Sequence, residues 1–381
     1  MTPPPAGGLP QGARDSKNRP PTAGPSGGGV TPRLQEALDL LRRKQPLSQQ
    51  LAQASVETIM TGEASAEDVR AWLLGLRDKG ETVEELVGCA RAMREHAVPF
   101  PISAGDLTHA VDTCGAGGDR QGTINISTIG SFIIASAGVP VVKHGNRSVS
   151  SQCGSADVLE ALGINFSIPP ERMIECFKRT NWAFLFAPLY HPAMKHVAPV
   201  RKALGGRTIF NLAGPLTNPA GVTRQVVGAP EKPLAGLMAE AFQHLGVEHV
   251  AVVWGEDAMD EITTTARTLV IEVRRDDTKT LNMVFDAEQT LGLRRVRLEQ
   301  LRGGDAATNA RLARQILASG ADEALRPMQE LVLVNAAWGV YVSGMHSESI
   351  AQCFDVARMA LESGSALKKL QEIQQCLPCP T

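Results

Sequence analysis

Apolar residues in the first hundred positions recur at helical spacing. Leucines lie three or four residues apart between Leu34 and Leu41, so they share one helix face. Capping-box patterns at 65–68 and 82–85 each precede a further run of inward-facing apolar positions. These patterns predict a small helical domain over residues 33–100.

Beyond Pro101 short apolar runs alternate with helical segments. This alternation is typical of an α/β domain whose mainly parallel sheet is covered by helices, and we expect such a domain over residues 101–375. Helices near 191–210 are expected to join the small domain. Ligands of such sheets bind at the carboxyl ends of the strands. The candidate strands are Ala110–Thr113, Val139–Val142, Asn181–Phe186, Gln225–Gly228, His249–Val253 and Leu269–Val273.

Composition and charge narrow the class of protein. The 381 residues carry a formal net charge of -2 and only 4% aromatic residues, which argues against a nucleic-acid-binding surface. No segment has the apolar length of a membrane helix, and no secretory signal pattern precedes the first helix. Seven scattered cysteines do not form a disulfide framework, so we expect a cytoplasmic protein with reduced thiols. Residues 1–32, rich in Pro and Gly, are expected to be a disordered tail.

A glycine-rich loop, Gly115–Asp119, follows the first candidate strand of the α/β domain. It matches neither the dinucleotide-binding fingerprint nor a Walker A loop. The glycines alone are equally consistent with a tight turn. Polar residues crowd the start of the next helix, however, where free backbone N–H groups attract anions. They are Asp119, Thr123, Asn125, Ser127 and Thr128.

The segment Lys143–Ser151 is the second candidate phosphate-binding element. It places a compact cation beside small residues and several hydroxyl and amide donors. Glycine allows the backbone to approach a phosphate closely. The two segments together predict a site for a phosphorylated small molecule.

Two charged features complete the candidate chemistry. Asp260 and Glu261 follow a strand, where adjacent carboxylates suit Mg²⁺ shared with substrate phosphates. A solvated acidic loop is the alternative. Arg201 is able to hold a carboxylate through two hydrogen bonds, although capping a helix or pairing with an Asp is the commoner role.

In combination these motifs resemble those of the anthranilate phosphoribosyltransferases, from about residue 34 to residue 370. Two departures are Ala116 and Arg120, where the family commonly has Thr and Gly; the backbone nest is kept. The segments that carry the resemblance are Ile59–Glu63, Lys79–Thr82, Gly115–Asp119 with Thr123 and Asn125–Thr128, Lys143–Arg147 through Gly163, Arg201 with Arg207–Asn211, Gly214–Leu216 and Asp260–Glu261.

The resemblance implies a nucleoside-phosphorylase-like fold, usually a homodimer, and two Mg²⁺ ions per active site. Lys143, Asp260 and Glu261 would be catalytic; Ser127, Asp260 and Glu261 would bind metal; Gly115, Asn146 and Arg201 would contact anthranilate. The residues implied to bind phosphoribosyl pyrophosphate are Gly115, Gly118, Asp119, Thr123, Asn125, Ile126, Ser127, Thr128, Lys143, His144, Gly145, Asn146, Arg147, Ser150, Ser151 and Ser155.

The implied reaction transfers the phosphoribosyl group to the amine of anthranilate, the second step from chorismate to tryptophan. Lys143, Mg²⁺ and backbone N–H groups would stabilise the departing pyrophosphate. Two alternatives remain: a pyrimidine nucleoside phosphorylase of the same fold, and a non-catalytic nucleic-acid-binding relative. Asn146 and the acidic pair argue against the first, and the balanced charge argues against the second.

Overall fold

The computed structural model describes residues 31–117, 121–148, 152–319 and 322–379. These residues form a helical unit beside a larger unit built on one seven-stranded sheet, with strand order β3-β2-β1-β4-β5-β6-β7. The strands are β1 Val111–Gly115, β2 Val141–Gly145, β3 Trp182–Phe186, β4 Arg224–Gly228, β5 His249–Gly255, β6 Thr268–Arg274 and β7 Leu281–Phe285.

The sheet is parallel from β3 through β5, whereas β6 and β7 are antiparallel. The chain builds outward from β1 through β2 to β3, and then returns to place β4 on the other side of β1. Strand order therefore reverses between β1 and β4, which is where open α/β sheets bind ligands. The predicted fold class, a helical domain with a mainly parallel α/β domain, is confirmed.

Two details of the sheet differ from the sequence-based prediction. The edge strand β7 was not predicted, because its residues alternate poorly and Leu281 and Val284 remain exposed. The strand β2 also extends through Gly145, which pairs with Phe186 of β3. Lys143 and His144 are therefore strand residues, and the loop predicted from Lys143 begins only after Gly145.

The helices cover both faces of the sheet and build the helical unit. In the part of the chain described, none of them is long and apolar enough to cross a membrane. They are α1 Pro32–Arg42, α2 Gln49–Thr61, α3 Ala66–Lys79, α4 Val83–Glu95, α5 Ala104–Leu107, α6 Ile126–Ser136, α7 Ser155–Ala161, α8 Pro170–Thr180, α9 Ala187–Tyr190, α10 Ala198–Leu204, α11 Ile209–Ala213, α12 Lys232–His244, α13 Ala287–Leu291, α14 Ala306–Leu317, α15 Arg326–Ser343, α16 Ile350–Glu362 and α17 Ser365–Cys376, with 3₁₀ helices at Pro192–His196, Gly214–Thr217 and Leu298–Leu301.

The helical unit begins earlier than the sequence prediction. Thr31 is the N-cap of α1, its hydroxyl accepting the N–H of Leu34, and Pro32 is the first helical residue. Thr31 and Pro32, the last two residues of the predicted 1–32 tail, therefore form the start of α1. The rest of that segment lies outside the described residues.

The core of the helical unit includes later parts of the chain. Trp72 of α3 is fully buried, and its ring lies 6.2 Å from that of Phe210 in α11. Val197 and Leu212 belong to the same apolar cluster. The segment carrying Arg201 is thus packed against the helices of the first hundred residues.

Candidate active site

Two glycines, at the ends of neighbouring strands, leave space for the acidic turn, which is the turn that carries Asp260 and Glu261. Gly115 of β1 lies opposite Gly228 of β4. A Cβ on Gly115 would lie 2.3 Å from Asp260 Oδ2, and one on Gly228 would lie 1.6 Å from the Asp260 carbonyl oxygen. The N–H of Gly117 donates to Asp260 Oδ2 at 3.1 Å. The glycine loop and the acidic pair therefore meet directly at the switch point of the sheet.

The acidic turn is held by hydrogen bonds of its own. The carboxylate of Asp257 accepts the hydroxyl of Thr263 at 2.6 Å, the hydroxyl of Thr265 and the N–H of Met259. Ala258 adopts a left-handed conformation, with φ of 67°. Asp260, only 9% exposed, is consequently a fixed and largely buried carboxylate rather than part of a freely solvated loop.

Lys143 lies inside the protein beneath this edge. Its Nζ donates to the carbonyl of Thr113 in β1 and to Ser127 Oγ at 3.1 Å, and the side chain is 2% exposed. Ser127 belongs to the first turn of α6. The charged Nζ of Lys143, a residue of β2, is therefore hydrogen-bonded both to β1 and to the first turn of α6.

Asp112 of β1 is a buried carboxylate near Lys143. Asp112 accepts the backbone N–H of His144 at 3.2 Å and Asn218 Nδ2 at 2.9 Å. Burial raises the pKa of Asp112 to about 6, and the nearby Lys143 and these hydrogen bonds partly oppose that effect. Neither Asp112 nor Asn218 was among the sequence candidates, since a single polar residue in a strand or a loop forms no pattern.

Two buried histidines, His144 near the end of β2 and His191, lie side by side. The rings of His144 and His191 are 5.2 Å apart, and His191 Nε2 lies 3.1 Å from the carbonyl of Thr217. Burial, with His191 alongside, lowers the pKa of His144 to about 3. His144 is therefore neutral at pH 7.

The loop after β2 is organised by backbone and ion-pair contacts. The carbonyl of Asn146 accepts Ser155 Oγ at 3.1 Å, and Gly145 leaves room for that hydroxyl. Arg147 pairs with Asp157 and Glu160. Because its guanidinium is engaged there, a contribution of Arg147 to ligand binding would come from its backbone.

Four other predicted phosphate-binding residues, Thr123, Asn125, Ile126 and Thr128, are placed by contacts within the protein. Asn125 bridges the carbonyl of Cys153 and the amide of Asn309. Ile126 and Thr128 are buried in the core, whereas Thr123 forms a backbone bridge with Arg302. The predicted residues Gly118, Asp119, Ser150 and Ser151 lie outside the described residues.

Arg201 lies in α10, on the helical side of the molecule. Its Nη2 donates to Asn211 Oδ1 at 3.1 Å, and its guanidinium carbon lies 5.8 Å from the centre of the Phe210 ring. Burial lowers its pKa. Among the described residues no carboxylate forms an ion pair with it, which distinguishes Arg201 from the paired Arg147. A partly buried guanidinium in this state suits an anionic ligand.

The described residues contain no group of three or more His, Cys, Asp or Glu side chains able to hold a metal ion. Magnesium shared with phosphates needs only one or two protein carboxylates. Asp260 and Glu261 supply hard oxygen ligands, and the N–H of Gly117 already fixes one of those oxygens. The residues present therefore fit Mg²⁺.

Comparison with protein families gives two matches. Residues 35–97 match the helical bundle domain of the glycosyl transferase family, and residues 107–367 match its a/b domain. The chain is 45% identical over 335 residues to the anthranilate phosphoribosyltransferase of Solibacter usitatus, covering 87% of this chain and 95% of the relative. This chain belongs to the anthranilate phosphoribosyltransferase family.

Further relatives agree with this assignment. The enzyme of that name from Rubrobacter xylanophilus is 45% identical over 338 residues, covering 89% of this chain and 96% of the relative. The crystal structure of the Thermus thermophilus enzyme is similar with a TM-score of 0.81 and 38% identity, covering 89% of this chain and 98% of that one. The Saccharomyces cerevisiae enzyme in complex with PRPP and Mg is similar with a TM-score of 0.80 and 25% identity, covering 91% and 98%.

Proposed function

We propose that this protein transfers the phosphoribosyl group of 5-phosphoribosyl 1-diphosphate to the amine of anthranilate, with Mg²⁺. The products are N-(5-phosphoribosyl)anthranilate and diphosphate, in the second step from chorismate to tryptophan. The observation that carries the proposal is the meeting of the glycine loop, buried Lys143 and the acidic turn at one sheet edge. Family membership supports the same reaction.

The phosphoribosyl side of the reaction needs a fixed set of donors and charges. The amine nitrogen attacks C1 of the ribose, the C1–oxygen bond to diphosphate breaks, and the amine loses a proton. Negative charge develops on the departing diphosphate, so preorganised cations and N–H groups stabilise the transition state. Lys143 is held rigidly by Thr113 and Ser127 and supplies such a charge without reorganisation.

We propose two Mg²⁺ ions per site, one near Ser127 and one near Asp260 and Glu261. Mg²⁺ held there would supply positive charge that stabilises the leaving diphosphate. Ser127 Oγ accepts from Lys143 Nζ, which leaves its second lone pair for a ligand. Asp260 would hold the second ion, and the N–H of Gly117 fixes the orientation of its carboxylate.

The acceptor side needs a positive group for the carboxylate of anthranilate. Arg201 fits this role because its charge has no ion-pair partner among the described residues and its plane lies near Phe210. Gly115 and Asn146 are the other proposed contacts. His144 is neutral and buried, so it is available as a hydrogen-bonding group rather than as a charge.

We also propose that the enzyme works as a homodimer in the cytoplasm. The support for both is the resemblance of the chain to its family. Light scattering of the purified protein measures its mass in solution, and a value near 40.6 kDa would contradict the dimer.

The activity is tested by following anthranilate fluorescence with phosphoribosyl pyrophosphate and Mg²⁺. We expect fluorescence to fall, and to stay constant when any one component is left out. Parallel reactions with phosphate and a pyrimidine nucleoside test the phosphorylase alternative. Release of free base there, without loss of anthranilate, would replace the proposal by that alternative.

A further inference from the structure

Three α-helices of the described chain begin with the same capping contact, which the 3₁₀ helix Leu298–Leu301 also has. In each, the side chain of the third helical residue accepts the backbone N–H of the N-cap residue. Glu85 accepts Thr82 N–H in α4 at 2.9 Å, and Asp157 accepts Gly154 N–H in α7 at 2.9 Å. In α11 the corresponding acceptor is an amide, Asn211, which accepts Thr208 N–H at 3.0 Å.

All three acceptors also contact a basic side chain. Glu85 pairs with Lys79 at 3.0 Å, and Asp157 pairs with Arg147 at 3.0 Å. In both helices the capping residue therefore neutralises the base. Asn211 contacts Arg201 at 3.1 Å with an uncharged oxygen, so that base keeps its full charge.

An acidic residue would serve the helix equally well at position 211. Asp and Asn present the same acceptor oxygen to the N-cap N–H, and a negative charge is favourable in the first turn of a helix. The Thr208 hydroxyl also donates to the same oxygen of Asn211 at 3.3 Å, which Asp would accept too. Helix stability thus gives no reason for the neutral residue.

An ion pair fixes the chain directly before α11. Glu81, whose side chain is 2% exposed, pairs with Arg207 through two hydrogen bonds of 2.9 and 3.1 Å. This contact anchors the residue directly before Thr208, which is itself 1% exposed. The start of α11 is therefore fixed, and Asn211 cannot move aside without breaking its cap.

We propose that Asn211 is a positioning residue that determines specificity, because it orients Arg201 while leaving its charge for the carboxylate of the acceptor. This inference rests on the proposed function. Asp at this position would keep the cap and the contact but supply an internal carboxylate that competes with the substrate. The acceptor carboxylate would then meet a guanidinium already neutralised.

The test uses Asn211→Asp in the full chain, with KM, kcat and melting temperature measured beside the parent. We expect the KM for anthranilate to rise about 10- to 100-fold, as for loss of a charge-assisted contact. The KM for phosphoribosyl pyrophosphate and the melting temperature should stay near the parental values. Calorimetric titration of anthranilate in the presence of Mg²⁺ and diphosphate should show the same loss of affinity.

Two further variants separate charge from structure. Gln289→Glu adds the same charge at the third residue of α13, where it is exposed, and should leave both KM values unchanged. Asn211→Ala removes the cap and adds no carboxylate beside Arg201. It should therefore lower the melting temperature, but it should raise the anthranilate KM less than Asn211→Asp does. A larger KM effect in the Ala variant would overturn the role of charge.

The outcomes also separate this inference from the proposed function. An active parent with unchanged anthranilate KM and affinity in Asn211→Asp would overturn the role of Asn211 alone. A parent that consumes no anthranilate would overturn the proposed function and this inference together.

Discussion

The two sides of the site are fixed in different ways. On the sheet side, strand pairing sets the positions of Gly115 and Lys143, and the charge of Lys143 is surrounded by protein oxygens. On the helical side, Arg201 of α10 contacts Asn211 and the Phe210 ring of α11, and no carboxylate among the described residues pairs with its charge. The sheet side is thus built for rigid stabilisation, and the helical side for recognition of an external anion.

The largest effect should follow from breaking the acidic turn. Asp260→Asn with Glu261→Gln keeps the shape of both side chains but removes the charge that attracts Mg²⁺. We expect most activity to be lost while circular dichroism and the melting temperature stay near parental values. Parental turnover with an unshifted Mg²⁺ titration would remove both residues from the site.

A methyl group added at Gly115, the last residue of β1, should disturb the same turn. In Gly115→Ala the new Cβ would lie 2.3 Å from Asp260 Oδ2, so the carboxylate has to move. Such overpacking typically costs about 1–3 kcal/mol of folding stability. Because the carboxylate is displaced, we also expect a lower kcat and a weaker response to Mg²⁺.

Gly236→Ala is the matched control for this change. Gly236 lies within α12, and nothing lies within 4 Å of a Cβ built there. This variant should keep full activity and gain about 0.5–1 kcal/mol of stability. Equal activity in both variants would contradict the tight contact between Gly115 and Asp260.

The pH dependence of stability tests the buried histidine of the sheet side. The fold lowers the pKa of His144 to about 3, so below its ordinary value of 6.5 the unfolded chain binds a proton that the folded protein does not. Stability contributed by this group is therefore present above pH 6.5 and is lost as the pH falls toward 3. The loss should reach about 3 kcal/mol by pH 4.

Urea unfolding of the parent and of His144→Gln at pH 7 and pH 4.5 measures this contribution. The variant should lose less stability between the two pH values, although buried His191, whose pKa is also lowered, continues to contribute. Parallel losses in parent and variant would mean that His144 does not titrate differently in the folded state.

The smallest effect is expected at the chain start. Deleting residues 1–30 should leave activity and melting temperature nearly unchanged, since their composition offers few apolar side chains to a core. Deleting residues 1–32 also removes the Thr31 cap and Pro32, and should cost about 1 kcal/mol more. Equal melting temperatures of the two truncations would argue against the cap.

The sheet side is easier to predict from the sequence than the helical side. Strand–loop–helix alternation and glycine spacing are local signals, so the sequence alone indicates the glycine loop, Lys143 and the acidic pair. The close approach of Gly228 to Asp260, and the Asp112–Asn218 contact, join segments that are distant in the chain and leave no local pattern. The domain boundaries and the role of each site residue remain predictions.

The same reasoning explains what the sequence does not reveal near Arg201. An arginine in a helix more commonly caps the helix or pairs with an Asp than contacts a ligand, and only its surroundings in the folded protein decide between these roles. Asn211 stands ten residues away and resembles an ordinary capping residue in the sequence. Its contact with Arg201, and the pairing of Glu81 with Arg207, appear only once the helices are packed.

The most direct test of the account compares Arg201→Ala with the parent on two acceptors, anthranilate and its neutral amide, 2-aminobenzamide. If Arg201 recognises the carboxylate, the variant should lose about 10- to 150-fold in kcat/KM with anthranilate, which corresponds to about 1.5–3 kcal/mol. Its kcat/KM with the amide, and its KM for phosphoribosyl pyrophosphate, should change little. Equal losses on both acceptors, or an unchanged kcat/KM for anthranilate, would contradict the proposal that the helical side of the site recognises an anion.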